Sequence, residues 1–231
     1  MSAHHIRQHA RNKNRYPAAI WYQYSNHPSA LGLAVVSGAL TKQFSNEPLT
    51  LLSLASFSEP EIKNAGSQHR LYGFFCQDSA ILALQAKANG ADTYLLGLSR
   101  LANGELQALT VDVDFCHDYP ELVLRIMDPL LDVPLLTRLQ SETSASLLQQ
   151  QTGKNSVQLK RLYGDNLLQQ LQLNLTHELL SELEQLQQRL LAQGALLRGI
   201  NIHHWQAPQP LSILRSERAR QRAATPLGVA S

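Results

Sequence analysis

The chain has 231 residues, of which 44% are hydrophobic and 16% are charged, and its formal net charge is +2. These values exclude a collagen-like repeat and a wholly disordered, highly charged chain. No apolar run approaches the roughly 18–20 residues that cross a bilayer. The basic start lacks the apolar core of a secretory signal. We therefore expect a globular, cytoplasmic protein without a membrane span.

The first part of the chain predicts a sheet. Short runs of strand-forming residues are bounded by turn residues, and they are AIWYQYS at 19–25, LGLAVVSGAL at 31–40, LTLLSLASF at 49–57 and LYGFFC at 71–76. A short helix follows at 80–88, with Asp78 or Ser79 as its N-cap and Asn89-Gly90 as its stop.

The residues TYLLGLSR at 93–100 and ELQALTVDV at 105–113 predict a β-hairpin closed by Asn103-Gly104. Asn-Gly is the preferred pair of a two-residue type I′ turn. Such a turn places Leu96 opposite Val111, with one apolar face and one mixed face. We therefore predict a hairpin with one side buried.

The second part of the chain predicts helices. Asp118-Tyr-Pro-Glu121 has the pattern of a helix start, and Pro129 and Pro134 predict a kink and a second short helix to about residue 140. Leucines at steps of three, four and seven predict one long amphipathic helix from about 166 to 197. The run INIHHW at 200–205 is interpreted as a short strand and 211–222 as a basic helix.

Together these elements predict an α+β fold, with a mostly antiparallel sheet and a short helix followed by a helical C-terminal portion. We divide the chain into a basic arm (1–16), an α+β domain (17–140), a polar linker that could hold helical turns (141–165), and the long helix with a basic tail (166–231).

The positive charge is concentrated at the two ends. The basic residues are Arg7, Arg11, Lys13 and Arg15 at the start, and Arg215, Arg218, Arg220 and Arg222 in the tail. Residues 105–132 carry a net charge of −6. Basic ends of this kind bind a phosphate backbone or an acidic protein surface. They can also solubilise the chain or fold back on its own acidic segment, and these alternatives stay open.

Three further groups are candidate sites. Trp21, Tyr22 and Tyr24 form either a stacking platform for single-stranded nucleic acid or part of an ordinary sheet. Leu179, Leu183, Leu186 and Leu190 form an apolar helix face that suits a protein interface or core packing. Asp112 and Asp114 share one face of a strand, as metal ligands for phosphoryl chemistry would, or simply continue a polar face.

No motif requires an enzyme. A phosphate-binding loop, a nucleophile elbow and a dinucleotide glycine pattern are all missing from the sequence, and no metal or cofactor is indicated. Cys76 and Cys116 lie beside aromatic residues, which is typical of buried thiols rather than nucleophiles.

The leading hypothesis is therefore a non-catalytic subunit of a larger assembly, which binds other protein chains through the leucine face and the basic ends. The first alternative is a nucleic-acid-binding protein that contacts the phosphate backbone. The second is a metal-dependent phosphoryl-transfer enzyme at Asp112 and Asp114.

Overall fold

The computed structural model describes residue 17 and residues 19–57, 73–134 and 141–224. These residues form one mixed five-stranded sheet flanked by helices on both faces. The strands are β1 (Ala19–Tyr24), β2 (Thr50–Ser53), β3 (Phe74–Ser79), β4 (Thr93–Arg100) and β5 (Leu106–Asp112). The helices are α1 (Ala30–Val36), α2 (Ala39–Gln43), α3 (Ala80–Ala88), α4 (Val113–Asp118), α5 (Pro120–Asp132), α6 (Ser141–Thr152), α7 (Ser156–Tyr163), α8 (Leu167–Gln170), α9 (His177–Ala192), α10 (Ile202–Trp205) and α11 (Gln209–Ala224).

The strand order is β2-β1-β3-β5-β4. β1 pairs in parallel with both β2 and β3, whereas β5 pairs antiparallel with β3 and β4. The prediction of a mostly antiparallel sheet with accompanying helices is confirmed in part, because β1 forms parallel pairs on both of its sides. The two parallel pairings require crossover connections, which hydrophobic patterning does not reveal.

The run at 31–40 is helical, so the prediction of a strand there was wrong. A continuous apolar run does not distinguish a buried strand from a buried helix. The signal that decides it is Ser29, which has extended backbone and accepts a hydrogen bond from the Gly32 amide at 3.1 Å. Ser29 thereby caps α1, which buries Leu31 and Leu33 in the core.

The helix α3 follows the prediction, because the Ser79 side chain accepts from the Ile81 amide and Gly90 has a positive φ of 98°. Tyr119, not Asp118, is the N-cap of α5, and Pro120 occupies its first turn. Pro129 lies within α5, which continues to Asp132. The helix predicted up to residue 140 falls largely outside the described residues.

The hairpin forms, but its register differs by one residue from the prediction. The Gly104 amide donates to the Leu101 carbonyl, and the Leu101 amide donates to the Glu105 carbonyl, both at 2.9 Å. Only Gly104 of this loop has a positive φ, 83°. The loop is thus a three-residue turn with a glycine bulge, which pairs Leu101 with Glu105.

A second irregularity lies between Leu95 and Gly97, where the pairing shifts again by one residue. Leu96 therefore does not lie opposite Val111, whose partner is Tyr94. Both faces of the hairpin are buried, so the expectation of one solvent-facing side was also wrong.

The region expected as a polar linker, 141–165, contains the helices α6 and α7. Asn155 and Gln158 form a capping box at the start of α7, since each side chain accepts a hydrogen bond from the other's backbone amide.

The long helix predicted from 166 to 197 is two helices, α8 and α9. Between them Leu171 and Leu173 are both buried, with the alternation of a strand. The Leu98 amide donates to the Asn174 carbonyl at 2.7 Å and the Asn174 amide donates back at 2.8 Å, which covers the outer edge of β4. Thr176 then caps α9.

The strand predicted at 200–205 was wrong, because residues 202–205 form the short helix α10. The Asn201 side chain caps this helix by accepting from the His204 amide at 3.0 Å. The basic helix predicted at 211–222 is confirmed as part of α11.

Two apolar cores lie on opposite faces of the sheet. The first contains the buried side chains of α1, α5 and α11 against Ile20, Phe75 and Leu109. The second packs α3, α9 and α10 against Leu95, Leu98 and Ala108. Helices therefore cover both faces, and only the ends of the strands are open to a site.

Candidate functional site at the carboxyl end of the parallel strands

The direction in which successive strands are added to the sheet reverses after β2. From β1 the chain passes to β2 on one side, and it then returns to form β3 on the other side of β1. In open α/β sheets, ligands bind outside the carboxyl ends of the strands at such a switch point. In this chain that position is occupied by the loop 25–29 after β1 and by the end of β3.

The end of the sheet carries polar side chains where the rest of the same face is apolar. Two rows of residues lie in register across the strands, and they are Tyr24–Gln77–Leu109–Gly97 and Ser79–Gln107–Ser99. Residues opposite each other in a sheet project from the same face. Ser79, Gln107 and Ser99 therefore form one polar row, with Gln77 in the adjacent row.

Gln77 joins this end of the sheet to α1. Its Oε1 accepts a hydrogen bond from the Leu31 amide at 2.7 Å. Gln107 is bound less tightly, since its Oε1 accepts from the Ser99 hydroxyl at 3.4 Å. Both glutamines are fully buried.

The side-chain amide nitrogens of these two glutamines donate no hydrogen bond within the described part of the chain. Neither Gln77 Nε2 nor Gln107 Nε2 finds an acceptor among the described residues. A buried polar group without a partner costs about 1–3 kcal/mol. Two such donors on one face of neighbouring strands mark a place where a bound water or a ligand would supply the acceptors.

The side chain of Gln151 in α6 packs against the N-terminal end of α1. Its Nε2 donates to the Ser29 hydroxyl at 2.8 Å and to the His27 carbonyl at 2.9 Å, while its Oε1 accepts from the Ser29 amide at 3.4 Å. A Cβ on Gly32 would lie 2.6 Å from Gln151 Cδ, so the glycine is needed for this approach.

His27 and Glu105 form the outer end of the site. His27 Nδ1 lies 2.7 Å from both carboxylate oxygens of Glu105, and the His27 side chain is 46% exposed whereas that of Glu105 is 18% exposed. Burial and the nearby charge of Glu105 raise the pKa of Tyr163, which is itself buried. We call His27, Ser29, Gln77, Glu105 and Gln107 the carboxyl-edge cluster.

Sequence reasoning missed this cluster entirely. The available signal was a single glutamine inside each of two apolar strands, Gln77 after FFC and Gln107 before ALTV. Lys, Arg, Asp, Glu and the amides are seldom fully buried, so an isolated amide in a core strand marks a position that needs an explanation.

The basic residues of the first end, Arg7, Arg11, Lys13 and Arg15, lie outside the described residues. In the tail, Arg218 binds the chain's own acidic segment, with hydrogen bonds of 2.7 Å to Asp128 and to Asp132. Burial disfavours its charge, but the hydrogen bonds to these carboxylates outweigh that effect and raise the pKa of Arg218. This contact corresponds to the alternative in which the tail folds back.

The other tail arginines differ among themselves. Arg215 donates to the Leu173 carbonyl at 2.8 Å and also to Asn174 Oδ1. Arg220 is exposed on α11, and the side chain of Arg222 lies outside the described part of the chain.

The leucines proposed as an interface pack within the chain. Leu179, Leu183 and Leu190 are buried in the second core, and Leu186 packs against it. Tyr22 and Tyr24 are stacked with their ring centroids 6.3 Å apart, as their alternation indicated, and both pack against the first core. Trp21 contacts Phe57 with a centroid separation of 5.1 Å.

Asp112 and Asp114 both lie at the start of the helix α4. Asp112 caps α4 by accepting from the Phe115 amide at 2.8 Å, and Asp114 lies in the first turn of that helix. Among the described residues, no three His, Cys, Asp or Glu side chains converge as a metal site.

Burial raises the pKa of the Cys76 thiol to about 12 and also raises that of Cys116, so neither thiol is an activated nucleophile.

No protein-family model and no curated protein matches the sequence. Solved structures do match in fold. The desulfurization enzyme DszB, as a mutant in complex with biphenyl-2-sulfinic acid, has a TM-score of 0.71 at 14% identity, and the match covers 86% of this chain and 99% of that one.

Two sulfonate-binding proteins are also similar. The periplasmic aliphatic sulphonate-binding protein SsuA of Escherichia coli has a TM-score of 0.62 at 11% identity, covering 83% of this chain and 92% of that one. The putative periplasmic sulfonate-binding protein SsuA of Methylobacillus flagellatus KT has a TM-score of 0.65 at 9% identity, covering 87% and 94%. The chain shares their fold.

This likeness corrects the functional hypotheses. The similar proteins bind small molecules or act on them, so the hypothesis of a non-catalytic assembly subunit was wrong. The nucleic-acid-binding alternative fails for the same reason. The phosphoryl-transfer alternative at Asp112 and Asp114 is not tested by these similarities.

In the described ranges, no helix combines the length and the apolar character that crossing a bilayer demands. The cytoplasmic location stays a prediction, and two of the similar proteins are described as periplasmic.

Proposed function

We propose that this chain binds a small organic molecule with an oxyanion head group, of the sulfonate or sulfinate type, at the carboxyl-edge cluster. The head group accepts hydrogen bonds from the side-chain amides of Gln77 and Gln107. The single observation that carries the proposal is that both Nε2 groups are buried and lack acceptors among the described residues.

The chemistry of the donors suits such a head group. The Oε1 atoms of both glutamines are already engaged, so each side chain offers the ligand only donors. A sulfonate or sulfinate offers only acceptors, and hydrogen bonds to an ionised acceptor are about twice as strong as neutral ones. The hydroxyl of Ser79, directly opposite Gln107, extends the donor set.

The one carboxylate of the cluster is paired. Glu105 would repel an anion, but both of its oxygens lie against His27 Nδ1 at the outer end. Amides and hydroxyls therefore line the inner part of the cluster, where the head group binds, and the negative charge of Glu105 is held beside a histidine.

The similar structures supply independent support for this ligand class. They include an enzyme in complex with biphenyl-2-sulfinic acid, an alkanesulfonate-binding protein of Xanthomonas axonopodis pv. citri bound to MOPS, and the two proteins described above as sulfonate-binding. At 9–14% identity these similarities support the ligand class through the fold alone.

Calorimetric titration with pentanesulfonate, hexanoate and hexanol tests the proposal. The sulfonate is expected to bind and the neutral alcohol is not, because the alcohol has no anionic oxygen for the two amides. The variant Gln107→Met keeps the side-chain volume but removes the donor, and we expect it to weaken sulfonate binding about tenfold or more.

The matched control is Gln149→Met, which changes an exposed glutamine of α6. It should leave the affinity unchanged. The proposal is wrong if the wild-type chain does not bind the sulfonate, or if Gln107→Met binds it as well as the wild type does.

A further inference from the structure

We propose that His27 binds the oxyanion head group in its protonated form, so that the ligand and one proton bind together. The charged ring donates its Nε2 hydrogen to the head group that the amides of Gln77 and Gln107 hold. This inference rests on the proposed function, because it adds a charged donor and a pH dependence to the same site.

The loop after β1 holds the backbone of His27 in place. The His27 carbonyl accepts a hydrogen bond from Gln151 Nε2 at 2.9 Å, and the His27 amide donates to the Ser25 hydroxyl at 3.4 Å. Pro28, which is buried, restricts His27 to extended backbone. The backbone is therefore anchored while the side chain, 46% exposed, is open to a ligand from solvent.

The contact with Glu105 places the His27 ring on the same side of the sheet as the two amides. Leu106 of β5 packs in the second core. Its neighbours Glu105 and Gln107 therefore point to the other side, because successive side chains of a strand alternate. Burial and the nearby charge of Glu105 raise the pKa of Tyr163, a residue of the first core, which agrees with this placement. Positions two apart on a strand are separated by about 7 Å, so the ring and the Gln107 amide flank one head-group position.

Glu105 determines which ring nitrogen of His27 carries the hydrogen. Nδ1 lies 2.7 Å from both carboxylate oxygens, and an ionised carboxylate only accepts hydrogen bonds. Nδ1 is therefore the protonated nitrogen of the neutral ring. Within the described ranges, the ring engages other groups through Nδ1 alone, so Nε2 is left for a ligand.

The charge of the ring decides whether Nε2 can bind an oxyanion. In the neutral ring Nε2 carries a lone pair, which repels a sulfonate oxygen, whereas in the charged ring it donates a hydrogen bond. Such a charge-assisted hydrogen bond is about twice as strong as a neutral one. Binding of an ionised head group therefore favours the charged ring and takes up a proton.

The other titratable groups around His27 have defined effects. The carboxylate of Glu105 stabilises a positive charge on the ring. Lys154, which follows α6, donates to the Asn26 carbonyl at 3.4 Å, and its ammonium disfavours that charge. The raised pKa of Tyr163 keeps that phenol neutral near pH 7. Among these residue types only histidine ordinarily changes charge between about pH 5 and 8, so a pH dependence in that range reports on His27.

Calorimetric titration with pentanesulfonate at several pH values tests the inference. The sulfonate stays ionised throughout, so any pH dependence of binding belongs to the protein. We expect the affinity to fall about tenfold between about pH 6 and 8.5. Buffers of different ionisation enthalpy should reveal proton uptake on binding, at most about one proton per ligand.

Three variants assign the effect. His27→Gln keeps a side-chain donor but cannot titrate, so it should abolish both the pH dependence and the proton uptake. Glu105→Gln removes the carboxylate that stabilises the charged ring, so it should move the fall in affinity to lower pH. His203→Gln is the matched control, because the exposed His203 also has a carboxylate partner, Glu184 at 3.3 Å, and this variant should preserve both effects.

The role of His27 is disproved if the wild type binds pentanesulfonate with one affinity across this range and takes up no proton, or if the pH dependence survives His27→Gln. In either case, binding that depends on Gln107 would leave the proposed function standing. If pentanesulfonate binds at no pH, the proposed function and the role of His27 are both wrong.

Discussion

The Oε1 atom of Gln77 lies 2.7 Å from the backbone nitrogen of Leu31, and this hydrogen bond joins the end of β3 to the first turn of α1. One half of the buried amide therefore has a structural role, while its Nε2 is left for a ligand. Gln107 differs, because its Oε1 makes a long contact of 3.4 Å with the Ser99 hydroxyl and holds no backbone amide of a neighbouring helix among the described residues.

This difference predicts that substitution by methionine changes the free energy of unfolding differently at the two positions. Gln77→Met removes the acceptor of the buried Leu31 amide and should lower the free energy of unfolding by about 1–3 kcal/mol. Gln107→Met removes an unpaired donor and should be neutral or slightly stabilising. Urea denaturation of both variants measures the effects, and an equal loss at the two positions would contradict the assignment.

Gly32→Ala should destabilise the chain, although the same change inside an ordinary helix gains about 1 kcal/mol. The new Cβ would displace the Gln151 side chain and break its hydrogen bonds to Ser29 and His27. In a Gln151→Ala background the clash disappears, so Gly32→Ala should then be neutral or stabilising. Thermal unfolding of the four variants checks this reversal of sign. Destabilisation that persists without Gln151 would refute it.

The Arg218 contacts should be measurable as a coupling between α11 and α5. Arg218→Gln breaks hydrogen bonds to Asp128, Asp132 and the Asp128 carbonyl. We expect a loss of about 1–2 kcal/mol, because these groups are partly exposed and screened by solvent. Arg220→Gln, an exposed neighbour on α11, is the control. In a double-mutant cycle, Asp128→Asn should add little to Arg218→Gln; full additivity would show that the pair does not interact.

Cys76 should make stability depend on alkaline pH. Its pKa is raised to about 12 in the fold by burial and by the charge of Asp78. In the unfolded chain the thiol ionises from about pH 8.5–9. The unfolded state is therefore favoured progressively as the pH rises above about 9, and stability falls in that window. Relative to Cys76→Ala, the wild type should lose stability between about pH 9 and 10.5, and parallel curves would contradict the raised pKa.

The sequence predicts the elements whose signals are local. β1, α3 and α11 follow from a strand run, a cap with a glycine stop, and a basic helical pattern. The hairpin was predicted too, but not its register. A two-residue type I′ turn needs a positive φ at both Asn103 and Gly104, whereas a three-residue turn with a glycine bulge needs it at Gly104 only. The same Asn-Gly pair occurs in both turn types.

The elements that the sequence did not predict depend on distant contacts. The pairing of β1 with β2 and β3 joins segments separated by crossovers. Asn174 pairs with Leu98 of β4, a contact between distant residues that the local sequence pattern does not reveal. The candidate site has the same origin. Ser29, Gln77 and Gln107 are separated in the sequence, and only the sheet order brings them to one end.

The most direct measurement of the central claim is the effect of an alkanesulfonate on the side-chain amide signals of Gln77 and Gln107. A ¹H–¹⁵N spectrum of the full chain resolves glutamine side-chain groups, and the variants Gln77→Met and Gln107→Met assign these two. On titration with pentanesulfonate, both amides should shift with one common dissociation constant, while the exposed Gln149 amide stays in place. If pentanesulfonate leaves both signals unmoved, or if it shifts Gln149 and not Gln77 and Gln107, the carboxyl-edge cluster is not the binding site.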